Sequence, residues 1–136
     1  MFETFDHTAD LGLRIRAESL EKLFEEAASA LFSVILENPK QISSERSFSF
    51  RIEGSRNDEL LLDWLDELLF KFASEHVVLC SFSVQFTESG LNATSWGEQY
   101  RPDIHGFGEE IKAITYHGLK VENLGDMWLG EIIVDL

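Results

Sequence analysis

Carboxylates at the two ends of the chain are the residues best suited to chemistry. Near the start, the segment His7-Thr8-Ala9-Asp10 leads into an alternating apolar stretch, and at the far end Asp135 precedes Leu136. If the two ends meet in the fold, Asp10 and Asp135 would form a site of hard oxygen ligands, which suits Ca²⁺ or Mg²⁺. Leu136 would add a main-chain carbonyl and a terminal carboxylate.

His7 has two possible roles beside these carboxylates. It could be a further metal ligand, or it could support Asp10 from the second coordination shell. The spacing leaves two alternatives open: His7 could be a capped core histidine, and the aspartates could be strand-end residues that face water.

The acidity of the chain limits its partners. The sequence has 25 acidic and 11 basic residues, which gives a formal net charge of -14. This balance argues against strong direct binding to nucleic acid, which needs Lys and Arg to displace counterions. It favours a basic protein partner, a bound cation or simple solubility.

The remaining composition indicates one globular domain over residues 1–136. Hydrophobic residues make up 44% of the 136 residues, enough for a core. The single cysteine, Cys80, excludes an internal disulfide and fits a reducing, cytoplasmic setting. No signal peptide is recognised, and no apolar run reaches the length of a membrane-spanning helix.

Apolar periodicity predicts the elements that must position these residues. Alternation predicts strands over residues 2–7 and 11–17, and Ser19 is the expected N-cap of a helix that ends by Asn38-Pro39. Asn57 or Asp58 is the expected cap of a second helix with Trp64 on the flank of its apolar stripe. The stripe itself comprises Leu61, Leu62, Leu65, Leu68, Leu69 and Phe72.

The rest of the chain is predicted to be rich in strands. These strands cover residues 47–52, 78–86, 91–96, 111–116, 119–122 and 127–134, with a loop over 97–108. The predicted fold class is therefore α+β, with two helices packed on a mainly antiparallel sheet.

Lys112 and the acidic face of the second helix are further candidate functional features. A lysine in an apolar strand needs a charge partner or a functional target, although an edge-strand lysine that blocks aggregation is the alternative. The acidic face is either a solvated surface or a docking surface for a basic partner. Its members are Asp58, Glu59, Asp63, Asp66 and Glu67.

The common enzyme motifs are absent from the sequence. There is no Gly-rich phosphate loop, Cys-x-x-Cys pair, His-Glu-x-x-His or nucleophile elbow, and the histidines lack the spacing of zinc ligands. The loop residues Arg101, Asp103 and His105 could be catalytic, or they could make local turn interactions.

Several blocks of sequence, taken together, resemble the archease family nearly from end to end. Besides Gly97-Glu98 and the residues 60–70 and 111–121, the blocks are His7-Thr8-Ala9-Asp10-Leu11-Gly12-Leu13, Ser19-Leu20-Glu21-Lys22-Leu23-Phe24 and Val134-Asp135-Leu136. Family chains often end in Asp-Ile where this one ends in Asp-Leu, a small difference if the backbone coordinates.

The resemblance implies a fold and a function that composition cannot show. It implies an α+β domain with a strand-helix-strand-strand module. It implies an accessory protein, not an enzyme, that activates the RtcB-type RNA ligase in tRNA splicing and RNA repair by promoting its guanylylation and multiple turnover. It also implies a divalent metal, Ca²⁺ first with Mg²⁺ or Mn²⁺ as alternatives, at Asp10, Asp135 and Leu136, and a role in activation for Lys112.

Two other functions are alternatives to this one. An acidic chaperone or protein-binding adaptor would use the helix faces, suppress aggregation of unrelated proteins and be indifferent to Asp10 and Lys112. A metal-dependent hydrolase would use Asp10, Asp135 and His7, and would release phosphate from a nucleotide by itself.

Overall fold

The computed structural model describes residues 1–7 and 10–136, so Thr8 and Ala9 of the first sequence block lie outside the described residues. In chain order the main elements are β1 (Phe2–His7), β2 (Asp10–Ala17), α1 (Leu20–Ile35), β3 (Arg46–Glu53), α2 (Asn57–Glu75), β4 (Val77–Thr87), β5 (Gly90–Gln99), α3 (Pro102–His105), β6 (Ala113–Asn123) and β7 (Trp128–Asp135). A short 3-10 turn, Pro39–Gln41, follows α1.

The described strands form two antiparallel sheets rather than one. Their orders are β1-β2-β7-β6 and β3-β5-β4. Helix α1 packs against β2 of the first sheet and β4 of the second, and α2 packs against β6 of the first sheet and β3 and β4 of the second. The α+β prediction is confirmed, and the module β3-α2-β4-β5 is the expected strand-helix-strand-strand unit.

Helix α1 lies in the core and begins where the sequence predicts. The Ser19 hydroxyl accepts a hydrogen bond from the Lys22 N–H at 3.2 Å, which satisfies one of the free amides of the first turn. Residues such as Leu23, Phe24 and Leu31 are fully buried, because apolar side chains face both sheets. Within the described part of the chain, no helix is long and apolar enough to cross a membrane.

Trp64 lies at the centre of the core face of α2, so its predicted place on the flank is wrong. Its side chain is fully buried, and its ring packs edge-on against Phe50 and Phe82. The indole N–H donates to the Phe24 carbonyl of α1 at 2.9 Å. This bond satisfies the indole donor without water, and the buried stripe is rotated toward Leu60 and away from Leu62.

The start of α2 also differs from the prediction. Arg56 is the N-cap residue, with extended backbone angles and no side-chain capping bond, and Asn57 is already helical. The Asp58 carboxylate instead accepts from the Glu59 N–H and from the Arg56 guanidinium, both at 2.8 Å. An acidic first turn stabilises the helix here in place of a side-chain cap.

The two strands predicted over 111–116 and 119–122 are one strand, β6. It pairs with β7 on both sides of an irregularity, since Thr115 lies opposite Ile133 and Lys120 opposite Glu131. The extra residues bulge outward around Gly118, whose φ of 63° is in the left-handed region that glycine tolerates. A bulge therefore lies where the prediction separated two strands.

The segment predicted as a loop over 97–108 is partly regular. Residues Gly97 to Gln99 extend β5, and α3 forms a single helical turn. Gly97 allows the close approach of β4, because a Cβ there would lie 1.9 Å from the Val78 carbonyl oxygen.

Replacement of Ser95 by alanine is expected to keep or raise stability. This side chain is fully buried, faces Phe48 and Phe82 on the neighbouring strands, and its hydroxyl has no hydrogen-bond partner among the described residues. Removing an unsatisfied buried hydroxyl should raise the free energy of unfolding by about 1 kcal/mol in urea denaturation.

Thr115→Val is the matched control, since the Thr115 hydroxyl donates to the Ile133 carbonyl at 2.9 Å and its loss should lower stability. A Ser95→Ala protein less stable than wild type by more than about 1 kcal/mol would show that this hydroxyl is satisfied.

Candidate functional site

The pairing of β2 with β7 places the two candidate carboxylates side by side. Asp10 and Asp135 are directly opposed residues in this antiparallel pair. Opposed residues present their side chains on one face of the sheet, with Cβ atoms about 4.5–5.5 Å apart. Two carboxylates that are distant in sequence thus lie side by side at one end of the two central strands of the four-stranded sheet.

His7 extends this row onto β1. It is the cross-strand partner of Asp10, and its Nδ1 atom lies 4.0 Å from the Asp10 Oδ2 atom. The His7 side chain is 50% exposed and that of Asp10 is 31% exposed. His7 is therefore not a core histidine, and it is close enough to influence the orientation of Asp10.

Lys112 joins the same strand end through its backbone but directs its side chain elsewhere. The Lys112 N–H donates to the Asp135 carbonyl at 2.7 Å. Ala113 is the residue opposite Asp135, so Lys112, one residue earlier, belongs to the other face of the sheet. Its side chain lines a groove beside α2. Leu136 packs its side chain against the core next to Asp135.

The donor set suits a hydrated hard cation rather than a closed metal cage. Among residues 1–7 and 10–136, Asp10 and Asp135 have no Lys or Arg within 4.0 Å, and no three His, Cys, Asp or Glu side chains converge as a metal cluster. Two carboxylates and a main-chain oxygen of Leu136 would leave several positions to water, which Mg²⁺ and Ca²⁺ both accept.

The other end of this sheet face is electrically neutralised. Arg14 bonds to Glu131, and Glu3 bonds to Arg14 at 3.3 Å and to Arg16 at 3.1 Å. Lys120 lies 3.9 Å from Glu131. Hydrogen bonds from Arg16 and then Arg14 lower the pKa of the Glu3 carboxyl. The face is thus divided into a half whose charged side chains are paired and an anionic half at Asp10 and Asp135.

Gly12 and Phe5 separate the two halves. A Cβ at Gly12 would lie 2.2 Å from the Phe5 ring, so the ring covers the glycine on the neighbouring strand. The Arg14 guanidinium lies 4.5 Å from the centre of the same ring. Any larger residue at position 12 would displace Phe5 from between the ion pairs and the aspartates.

A buried Glu98–His105 pair is a side-chain contact that the sequence did not predict. Glu98 is 3% exposed and His105 is fully buried. The Glu98 carboxylate contacts His105 Nε2 at 2.8 Å and accepts from the Ser43 N–H at 2.8 Å and the Arg101 guanidinium at 3.3 Å. His105 Nδ1 accepts from the Arg101 N–H at 2.9 Å, which places the ring proton on Nε2.

This pair fixes the loop that leads to Lys112. The His105 carbonyl accepts from the Asn38 N–H at 2.8 Å, and Gly108 and Glu109 donate to the end of α1. The imidazole is closed to solvent and bound to its own helical turn, so the geometry favours the turn interpretation over a catalytic one. Asp103 is exposed on the same turn. In the sequence, the Gly97-Glu98 block was the feature that could have indicated this buried contact.

The Glu98 network should make stability depend on acidic pH. The Ser43 N–H, above all, with His105 and Arg101, holds the pKa of the Glu98 carboxyl below its usual 4.5. Because the unfolded chain binds this proton more readily, the stabilisation is complete above about pH 4.5 and is lost as pH falls through the lower, folded-state pKa.

Glu98→Gln should remove this acid dependence and lower the free energy of unfolding at neutral pH by roughly 3 kcal/mol, since a charged acceptor is lost. Urea denaturation across the acidic range measures both effects, with Glu88→Gln in an exposed turn as the control. Equal pH profiles for wild type and Glu98→Gln would contradict the assignment.

A sequence profile of the archease protein family matches residues 2–136. The chain is 36% identical over 140 aligned positions to protein archease of Methanosarcina acetivorans, with 99% of this chain and 95% of that protein covered. It is 39% identical over 140 aligned positions to protein archease of Pyrococcus abyssi, with 99% and 98% covered.

Solved structures agree with the sequence comparison. The solution structure of Methanobacterium thermoautotrophicum protein 1598 superposes with a TM-score of 0.87 at 32% identity, covering 99% of this chain and 98% of that one. The crystal structure of a Thermotoga maritima archease, described as a possible chaperone, shares the fold with a TM-score of 0.68 at 22% identity, covering 100% and 98%. The full-length profile match and these relatives show that the chain belongs to the archease family.

Proposed function

We propose that this protein activates an RtcB-type RNA ligase through a divalent cation held at Asp10 and Asp135, and that it makes and breaks no bonds itself. The observation that carries the proposal is the direct opposition of these two carboxylates across β2 and β7. No Lys or Arg of the described chain neutralises them, and the choice of the ligase as partner rests on the resemblance to archeases.

Each residue at this strand end has a definite part in the proposal. Asp10 and Asp135 bind the cation with a main-chain oxygen of Leu136, and His7 orients the Asp10 carboxylate. When bound, the cation would offset the negative charge that develops on a triphosphate during transfer of a nucleotide. The open donor set also suits reversible binding, since water fills the remaining positions.

The charge of the chain is consistent with a protein partner rather than RNA. The net charge is -14, and such a surface repels phosphates. A ligase that handles RNA and GTP needs a positive cleft, and an acidic helper would be attracted to the rim of that cleft.

A protein-binding chaperone or adaptor without metal-dependent activity is the second candidate. It is favoured by the exposed acidic side chains of α2, among them Asp63, Asp66 and Glu67. Such a protein would suppress aggregation of unrelated proteins and would not need Asp10 or Lys112.

GTP-dependent RNA joining by the RtcB-type ligase of the same organism tests the proposal. The ligase is present at limiting concentration, with and without this protein. Several joined RNA molecules per ligase only in the presence of this protein would support activation. An unchanged yield, with the ligase active for a single round, would overturn activation and favour the adaptor.

Asp10→Asn should weaken cation binding by about tenfold or more, because one of two charged ligands is lost. Isothermal titration with Ca²⁺, Mg²⁺ and Mn²⁺ measures the affinity, and the same variant should lose activation of the ligase. Since Asp10 is partly exposed, the variant should remain folded. Asp126→Asn, in an exposed turn, is the control, and equal affinity for both variants would contradict the site.

Lys112→Ala should lower activation while leaving cation affinity unchanged. The physical reason is that the Lys112 side chain lies in the groove beside α2, on the other face of the sheet from the aspartates. Lys120→Ala is the control, because Lys120 on β6 is paired with Glu122 and Glu131. A parallel loss of cation affinity in Lys112→Ala would show that this lysine belongs to the metal site.

A further inference from the structure

A groove runs between α2 and the start of β6, outside the carboxylate site. Its main part has a volume of about 700 Å³ and reaches from Ile52 of β3 to Ile111 and Lys112. A second part of about 470 Å³ continues along α2 to Tyr116 and shares Asp63 with the first.

The groove is bordered by two aromatic side chains that face water. Phe70 is 66% exposed in the last half of α2, and Tyr116 is 76% exposed on the bulge of β6. Ile52 and Ile111 below them are almost fully buried. An apolar floor with exposed aromatic walls is typical of a surface that is covered by a partner.

The charges on the groove determine what can cover it. Two basic residues line the groove: Lys112 lies at one end, and Arg51 is paired with Glu53 at 3.5 Å. Asp63, Asp66 and Glu67 also line it, and within the described residues none of these three carboxylates is paired with a Lys, Arg or His. By contrast, Asp58 and Glu59 nearby are paired with Arg56. Partial burial, followed by the charges of Asp66 and Glu59, raises the pKa of Asp63. A cation placed here would relieve this repulsion.

We propose that this groove is the docking site for a segment of the ligase that carries Arg or Lys beside an apolar side chain. The apolar side chain packs between Phe70 and Ile111, and the basic side chains pair with Asp63 and Asp66. The identity of the partner rests on the proposed function, whereas the chemistry of the segment follows from the groove.

Continuity with Lys112 supports this occupant. Lys112 lines one end of the groove, and its N–H bonds to the Asp135 carbonyl. A partner held along α2 therefore reaches the backbone of the cation site. RNA is disfavoured by the unpaired carboxylates, and a second copy is disfavoured because it too carries a net charge of -14.

The test compares two groove variants with a control variant. Phe70→Ser removes the aromatic wall, and the double variant Asp63→Asn/Asp66→Asn removes two charges. The control combines Leu124→Ser with Asp126→Asn, where Leu124 is 52% exposed outside the groove. All five positions are exposed, so each variant should remain folded, and thermal unfolding checks this.

Binding of the purified ligase is measured by titration at low and high salt. Each groove variant should bind about tenfold more weakly than wild type, and the charge variant should also lose much of the salt dependence. The control variant should bind as wild type does. Cation affinity at Asp10 should be the same in all of them. Wild-type affinity in both groove variants would overturn the proposal and leave ligase activation intact.

A synthetic peptide of alternating Arg and Leu separates the groove from the identity of the partner. One outcome is that wild type binds this peptide but not the ligase, and that the groove variants do not bind the peptide. This outcome would support the groove as a binding site and overturn the proposed function. No peptide binding, or an equal loss in the control variant, overturns the groove. Groove-dependent RNA binding or self-association in sedimentation would overturn it in favour of those occupants.

Discussion

The antiparallel pairing of β2 with β7 is the interaction on which the rest of the structure depends. It joins residues 10–17 to residues 128–135 in one continuous register, and it buries Leu13 and Ile132 against α1. The same register that turns these apolar residues inward turns Asp10 and Asp135 outward. A slip of one residue would exchange the two faces, so the core itself holds the carboxylates together.

Local patterns account for most of the fold. Alternation predicted the bounds of β1 correctly, and the Ser19 cap predicted the start of α1, because both depend on neighbours in sequence. The position of Trp64 could not be predicted this way, since its burial depends on the Phe24 carbonyl of another helix. The bulge in β6 likewise depends on β7, which continues the pairing beyond Gly118.

The candidate site was predictable in part for the same reason. The sequence predicts a pair of aspartates only if the two ends of the chain meet. The resemblance to archeases implies that they do, and the register of β2 with β7 shows it. The Glu98–His105 contact could not be predicted, because a glutamate at the end of a strand and a histidine in a turn are usually exposed to solvent. Here the tertiary fold buries both side chains. The groove could not be predicted either, since α2 and β6, which form it, are distant in sequence.

In the proposed function, Asp10 and Asp135 act as one unit across β2 and β7. A double-mutant cycle measures this most directly, with ligase turnovers recorded for Asp10→Asn, Asp135→Asn and the combined variant. The effects of substitutions within one site are not additive. The combined variant should therefore activate the ligase as well as the less active of the two single variants does. Losses that multiply in the combined variant would contradict the claim and assign the two aspartates to independent roles.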